Sequence, residues 1–199
     1  MEFDPIFRVI FLLVFLISVG FSGFYRRRAR QSGEVIPRRA EGSLVLILRM
    51  IMALIVAVSY FAYVFVPAWL SWSNWYLPLW VRFFGVIVAT LCIPAIRWMF
   101  VSIGNNISET VLTKRNHHLV MNGPYRWIRH PLYALTILEL FALALIASNW
   151  FLFIIPCIAI IVFWLFVIPR EEANLIKLFG KRYEDYRQHT GALFPLIKI

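Results

Sequence analysis

Two short polar segments hold most of the groups in this chain that could do chemistry. The first, H-H-L-V-M-N-G-P-Y-R-W-I-R-H-P-L-Y at residues 117–133, carries His117, His118, Tyr125, Arg129, His130 and Tyr133. The second, just past Pro169, begins R-E-E and carries Glu171 and Glu172. Carboxylates beside guanidinium, imidazole and phenol groups can hold a charged organic ligand, move a proton, or simply pair with one another. Surface ion pairs are common and contribute little stability, so these residues alone leave an interfacial salt bridge and a ligand site equally open. No metal is expected. His117, His118 and His130 have no acid or cysteine spaced with them as a ligand set, and Cys92 and Cys157 both fall inside apolar runs rather than as a spaced pair.

The elements that must position these segments are apolar. Of 199 residues, 61% are hydrophobic and only 15% charged, a balance that excludes an ordinary soluble domain. A bilayer core about 30 Å thick needs about 20 apolar residues per helix. The pattern gives an all-α integral membrane protein of about five transmembrane helices, at residues 6–24, 44–66, 80–101, 132–148 and 150–168, read as one domain over 1–199. Residues 104–131 form the polar loop and 169–199 an amphipathic tail. The formal charge of +10 sits in loops beside the spans, so it speaks for orientation and anionic headgroups rather than nucleic acid. Arg26, Arg27, Arg28, Arg30, Arg38 and Arg39 follow the first span. The positive-inside tendency then predicts an N-terminus outside and a C-terminus in the cytoplasm. Arg8, Arg49, Arg82 and Arg97 are read as interface anchors or packing residues.

The apolar run after Leu132 is too long for one span and right for two, with Ser148-Asn149-Trp150 as the turn. Such a hairpin returns both ends to one face and brings Arg129, His130 and Tyr133 toward Glu171 and Glu172. Arg129 and Glu172 are the candidate catalytic residues. Glu172 is the candidate base, or else a solvated acid at a helix start. Glu139 lies about 10 Å of helix rise into the fourth span. An acid that deep either faces a polar chamber and the substrate, or is protonated and bonded to a neighbouring helix.

The loop fits H-x-L-V-x-x-G-x-Y-x-x-x-R-H-P-x-Y, and the tail fits E-E-x-x-L-I-x-x-F-G-x-x-Y-x-x-Y-x-x-x-T-G-x-x-F-P. Together, from about Gly104 to Pro195, they resemble the isoprenylcysteine carboxyl methyltransferase family and its small bacterial and archaeal relatives. That resemblance implies a pocket for S-adenosylmethionine, with S-adenosylhomocysteine as the product. His117, Leu119, Val120, Tyr125, His130, Pro131, Leu132 and Tyr133 would line it, and Glu171 would close it from the tail. Members that methylate a prenylcysteine carboxylate tend to carry an arginine one turn before the first glutamate. Val167 stands at that substrate position here, and Arg170 lies about 60° away around the helix.

The expected function is methyl transfer to a carboxylate or thiol of a lipophilic, isoprenylcysteine-like substrate at the cytoplasmic face. A lipid-amine methyltransferase and a non-enzymatic scaffold or sensor are the alternatives. The expected partners are the bilayer and a lipid or small lipophilic substrate, without nucleic acid; the oligomeric state is open.

Overall fold

The computed structural model describes residues 4–31, 43–104 and 118–196. His117 and the first part of the polar loop lie outside the described residues. Seven helices are described: α1 (Asp4–Gln31), α2 (Ser43–Phe65), α3 (Leu79–Ile103), α4 (Pro131–Ala147), α5 (Trp150–Val162), α6 (Ile168–Phe179) and α7 (Lys181–His189). There is no strand among the described residues, and two isolated bridges join Asn74 to Asn149 and Ile128 to Gly191.

Four stretches are long and apolar enough to cross a membrane: Asp4–Arg28, Ser43–Phe65, Leu79–Ile103 and Trp150–Phe179, while Pro131–Ala147 is a shorter apolar helix. The fold is therefore all-α, with five apolar helices as the hydropathy predicts. One boundary differs. The fifth span and the tail are not separate, because α5 runs through a π turn at Phe163–Val167 directly into α6. Ile168 N–H reaches back to the Phe163 carbonyl, a five-residue step that widens the helix locally and rotates every later side chain against the α-helical count. The apolar part ends near Ile168, and α6 beyond it is amphipathic, with Glu171 and Glu172 in its first turns.

One end of the bundle is closed by tight packing. Phe11 of α1 meets Tyr60 and Tyr63 of α2 at 4.7 and 4.8 Å between ring centres. The buried Arg82 guanidinium donates to the Ile146 carbonyl at 3.0 Å and to Asp4 at 2.6 Å, and lies over the Phe7 ring. It thus ties α1, α3 and α4 together at one level and is a packing residue. The α3 and α4 backbones touch at Gly85, where a Cβ would come within 2.9 Å of the Ala142 carbonyl. Ser148, in the left-handed region at φ 52°, makes the hairpin turn, and Asn149 caps α5 by accepting from Leu152 N–H while donating to the Leu70 carbonyl.

The other end, which carries Arg26, Arg49 and Arg129, is hollow. From Phe15 onward α1 turns Ser18 and Ser22 inward, and α2 offers Ala53 and Ala57. Small side chains there leave space that the phenylalanines and tyrosines fill at the closed end.

Candidate active site

The polar loop is built against the tail. Its 3-10 turn, Gly123–Arg126, starts at a glycine with φ 58°, and a Cβ at that glycine would overlap the Ser102 side chain of α3. Beyond the turn the loop pairs with the chain after α7. Arg129 N–H donates to the Gly191 carbonyl at 2.8 Å, His130 N–H to the Ala192 carbonyl at 3.0 Å, and Gly191 N–H to the Trp127 carbonyl at 3.2 Å. A side chain at Gly191 would run into the Phe194 carbonyl, so the T-G-x-x-F element is a backbone turn that lets the tail lie along the loop. Tyr186 adds a bond from its hydroxyl to the Tyr125 carbonyl at 2.5 Å. Burial pushes the Tyr186 hydroxyl up to about 12, and it raises those of Tyr125 and Tyr183 further. All three hydroxyls therefore stay protonated at physiological pH.

Two polar arrangements result, joined through His130. In the first, Arg129 Nε donates to Glu172 Oε1 at 2.8 Å, and its Nη1 donates to the carbonyls of Arg187 and Thr190. Arg187 stands 3.8 Å from the other Glu172 oxygen, and His130 Nε2 is 3.3 Å from Oε1. Glu172 lies past the apolar end of its span. Burial alone would raise its pKa, but the hydrogen bonds and charges of His130 and Arg129 outweigh that and hold the carboxyl below the usual range. Glu172 does not line the cavity. Glu172, read from the sequence as a candidate base or a solvated helix-start acid, is here paired with Arg129, His130 and Arg187, and Arg129 links it to the carbonyls of the tail.

The second arrangement faces the cavity. Tyr133 donates its hydroxyl to Glu171 Oε2 at 2.9 Å and accepts from Arg49 Nη2 at 3.0 Å. His130 Nδ1 lies 3.6 Å from the same Glu171 oxygen. The His130 ring stacks on Tyr133 at 5.7 Å, and Tyr133 stacks on Phe163 at 4.6 Å. The wall of the site is therefore aromatic, with a carboxylate at its edge. Pro131 begins α4 directly beneath, so the first turn of a helix, where backbone N–H groups lack intrahelical partners, points at the same space.

The cavity has a volume of about 710 Å³, large enough for a drug-sized ligand. Its lining includes the expected Leu119, Val120, Tyr125, His130, Pro131, Leu132, Tyr133 and Glu171, together with Glu139 at its inner end. Val167 is apart from them: it is 0% exposed, packed with Val45 and Val162, and absent from the lining. The π turn puts Phe163 on the cavity side and Val167 in the core. Arg170 is turned away as well, donating to the Phe166 carbonyl at an exposed position. Sequence reasoning missed Arg49, Ser18, Phe163 and Tyr183 as lining residues. A signal existed for Arg49, since an arginine inside an apolar span marks a candidate functional site.

The cavity extends between α1 and α2. Phe15, Val19, Ser22 and Arg26 line it from α1, and Leu46, Met50, Ala53 and Ala57 line it from α2. Each set follows the same steps of four, three and four residues that make one helical stripe. Val19 and Met50 are also 50% and 64% exposed, so the seam between the stripes is open on the outer surface of the bundle. Among the described residues no group of three or more His, Cys, Asp or Glu side chains is arranged to hold a metal ion.

The model of the isoprenylcysteine carboxyl methyltransferase (ICMT) family matches residues 83–177, from α3 to most of α6. A protein-S-isoprenylcysteine O-methyltransferase of Schizosaccharomyces pombe is 34% identical over 102 residues, which is 49% of this chain and 42% of that protein. Methanethiol S-methyltransferase 1 of Bradyrhizobium diazoefficiens is 35% identical over 72 residues, 36% of this chain and 24% of that protein. Matches span about half the length of the first curated relatives, at 42%, 43% and 53%. Among solved structures, the eukaryotic intramembrane Ras methyltransferase ICMT superposes with a TM-score of 0.52 at 22% identity, covering 82% of this chain and 55% of that one. That likeness is one of fold.

Proposed function

We propose, from the match of residues 83–177 to the isoprenylcysteine carboxyl methyltransferase family, that this chain is a membrane methyltransferase of that family using S-adenosylmethionine. Its acceptor is a carboxylate or thiol of a lipophilic molecule, and transfer takes place at the cytoplasmic face. The observation that carries this reading is the single cavity that joins a polar, aromatic-walled mouth to a seam open on the lipid-facing surface.

The residues present fit the cofactor. It bears an ammonium, a carboxylate, ribose hydroxyls and an adenine ring, and it supplies a methyl group activated on a sulfonium. Glu171 is the acceptor for an ammonium or hydroxyls. The first turn of α4 and Arg49 are the donors for a carboxylate. His130, Tyr133, Phe163 and Tyr125 are the aromatic surface. The carboxylate of Glu171 is already oriented by Tyr133, so little side-chain freedom remains to be lost on binding.

Transfer of a methyl group requires the nucleophile and the methyl carbon to be held in line and dry, and such orientation removes several kcal/mol of barrier, up to about 10. Helices α1 to α4 exclude water from the inner cavity. Arg129 and Glu172 act as positioning residues, holding the tail so that Glu171, Tyr183 and Tyr186 close one wall. The basic end of the bundle lies toward the cytoplasm by the positive-inside tendency, so a soluble cofactor enters there and a lipophilic acceptor enters sideways.

Calorimetric binding of S-adenosylhomocysteine to the purified protein in detergent tests the reading. Saturable one-to-one binding is expected, weakened about tenfold or more, roughly 1.4 kcal/mol, by His130→Ala and by Glu171→Ala. Absence of binding to well-folded wild type would leave a scaffold or sensor as the better account.

A further inference from the structure

We propose that Glu139, with Ser18 beside it, binds the methyl acceptor and receives its proton, and that this acceptor is a lipophilic thiol. The proposal rests on the methyltransferase reading above and narrows its substrate class.

Glu139 is on α4 and Ser18 on α1, and both line the inner end of the cavity. They are 8% and 6% exposed, and Ser18 is a side-chain neighbour of the carboxyl. Tyr60 of α2 and Cys92 of α3 are also within electrostatic reach of it. Among the described residues Glu139 Oε1 and Ser18 Oγ have no partner of good hydrogen-bond geometry, and the Ser18 hydroxyl is the one side chain placed to bond the carboxyl. A buried carboxyl oxygen left unmatched in an apolar span costs free energy. Here a carboxyl and a hydroxyl from two helices lie together where both residues line one cavity. The third turn of α4 thus carries a polar site about 9 Å of helix rise from Tyr133, where the cofactor groups converge.

The chemistry of the ligand follows from the charges around it. A carboxylate beside Glu139 would place like charges together in a low-dielectric site. An ammonium would share the cavity with Arg26, Arg49 and Arg129 and with the sulfonium of the donor. A thiol is neutral, partitions into lipid and so passes the α1–α2 seam, and it carries the proton that an unmatched acceptor oxygen can take. In the transfer, the sulfur–hydrogen bond breaks and its proton goes to the Glu139 carboxylate. The sulfur electron pair forms the new bond to the methyl carbon, and the old carbon–sulfonium bond breaks with its electrons left on the donor sulfur, giving a thioether. A carboxylate acceptor would need no such base.

The test uses the full chain in lipid nanodiscs, with decanethiol, decanoate and decylamine as probes. Wild type is expected to methylate decanethiol in preference to the other two. Glu139→Gln is expected to lose at least about 100-fold in that turnover, the lower range for a removed general base, while its affinity for S-adenosylhomocysteine stays within about threefold. Infrared difference spectra give an independent readout without the donor: decanethiol perturbs a carboxyl band in wild type, and Glu139→Gln removes the change. A preference for decanoate or decylamine, wild-type turnover of decanethiol by Glu139→Gln, or a spectrum unchanged by decanethiol would each overturn the assignment. Failure of wild type to bind S-adenosylhomocysteine would instead remove the methyltransferase reading, and this proposal with it.

Discussion

Tyr133 and Glu171 are joined by a 2.9 Å hydrogen bond that spans 38 positions of the chain. It crosses from the first turn of α4 to the first turn of α6, and Arg49 of α2 supports the same phenol from the other side at 3.0 Å. The carboxylate is therefore aimed by a residue that is itself held. Tyr133→Phe removes both bonds while keeping the stack on Phe163. A hydrogen bond to a charged group is worth about 1.5–3 kcal/mol. The expected outcome is S-adenosylhomocysteine affinity weakened by about tenfold or more with the fold intact, measured by calorimetry alongside circular dichroism.

Arg129 and Glu172 form a different unit, with side chains only 10% and 11% exposed. Removing one partner of a buried pair costs about 3–5 kcal/mol because the other charge is left uncompensated. Arg129→Ala is expected to release the tail from the loop. The check is hydrogen exchange at the Arg129 and His130 amides, which donate to the Gly191 and Ala192 carbonyls. Both should exchange at least tenfold faster, while amides of α3 stay protected.

The same pair predicts a pH response. Glu172 is held below its ordinary value by His130 and Arg129 against the opposing effect of burial. Its contribution to stability is thus fully present above the unfolded carboxyl value, near pH 4.3, and is lost as pH falls through the lower folded value. Protection of the Arg129 amide should be level from pH 7 to pH 5 and decline only below about pH 4. In Glu172→Gln the protection should be weaker throughout, and this acidic decline should be absent.

Much of this arrangement was legible because it depends on lengths. An apolar run twice the length of a span, with Ser148 and Asn149 at its middle, can only fold back, and that return brings His130 and Tyr133 to Glu171. What was not legible depends on rotation. A count of 100° per residue back from Glu171 into the fifth span assumes an unbroken α-helix, and the π turn at Phe163–Val167 breaks that assumption for every residue before it. Glu171 and Glu172 are equally acidic and adjacent in sequence, yet neighbours on a helix point about 100° apart. One therefore faces the cavity and the other the arginines. Arg49 reads as an anchor because nothing in the α2 sequence says which side of the bundle it packs on.

The seam between α1 and α2 gives a last prediction, which separates lipid entry from cofactor binding. Ala53 and Ala57 line the cavity from α2 and are themselves exposed on the outer surface, so the opening is kept wide by methyl groups. Ala53→Trp puts a large rigid ring into that gap without touching Tyr133, Glu171 or the loop. If long-chain acceptors enter sideways, kcat/KM for a ten-carbon acceptor should fall by at least tenfold while S-adenosylhomocysteine affinity is unchanged. A short acceptor, with little tail to thread between the helices, should lose much less. Equal losses for both lengths would point to distortion of the inner cavity, and no loss for either would place the acceptor's route at the basic end, beside the cofactor.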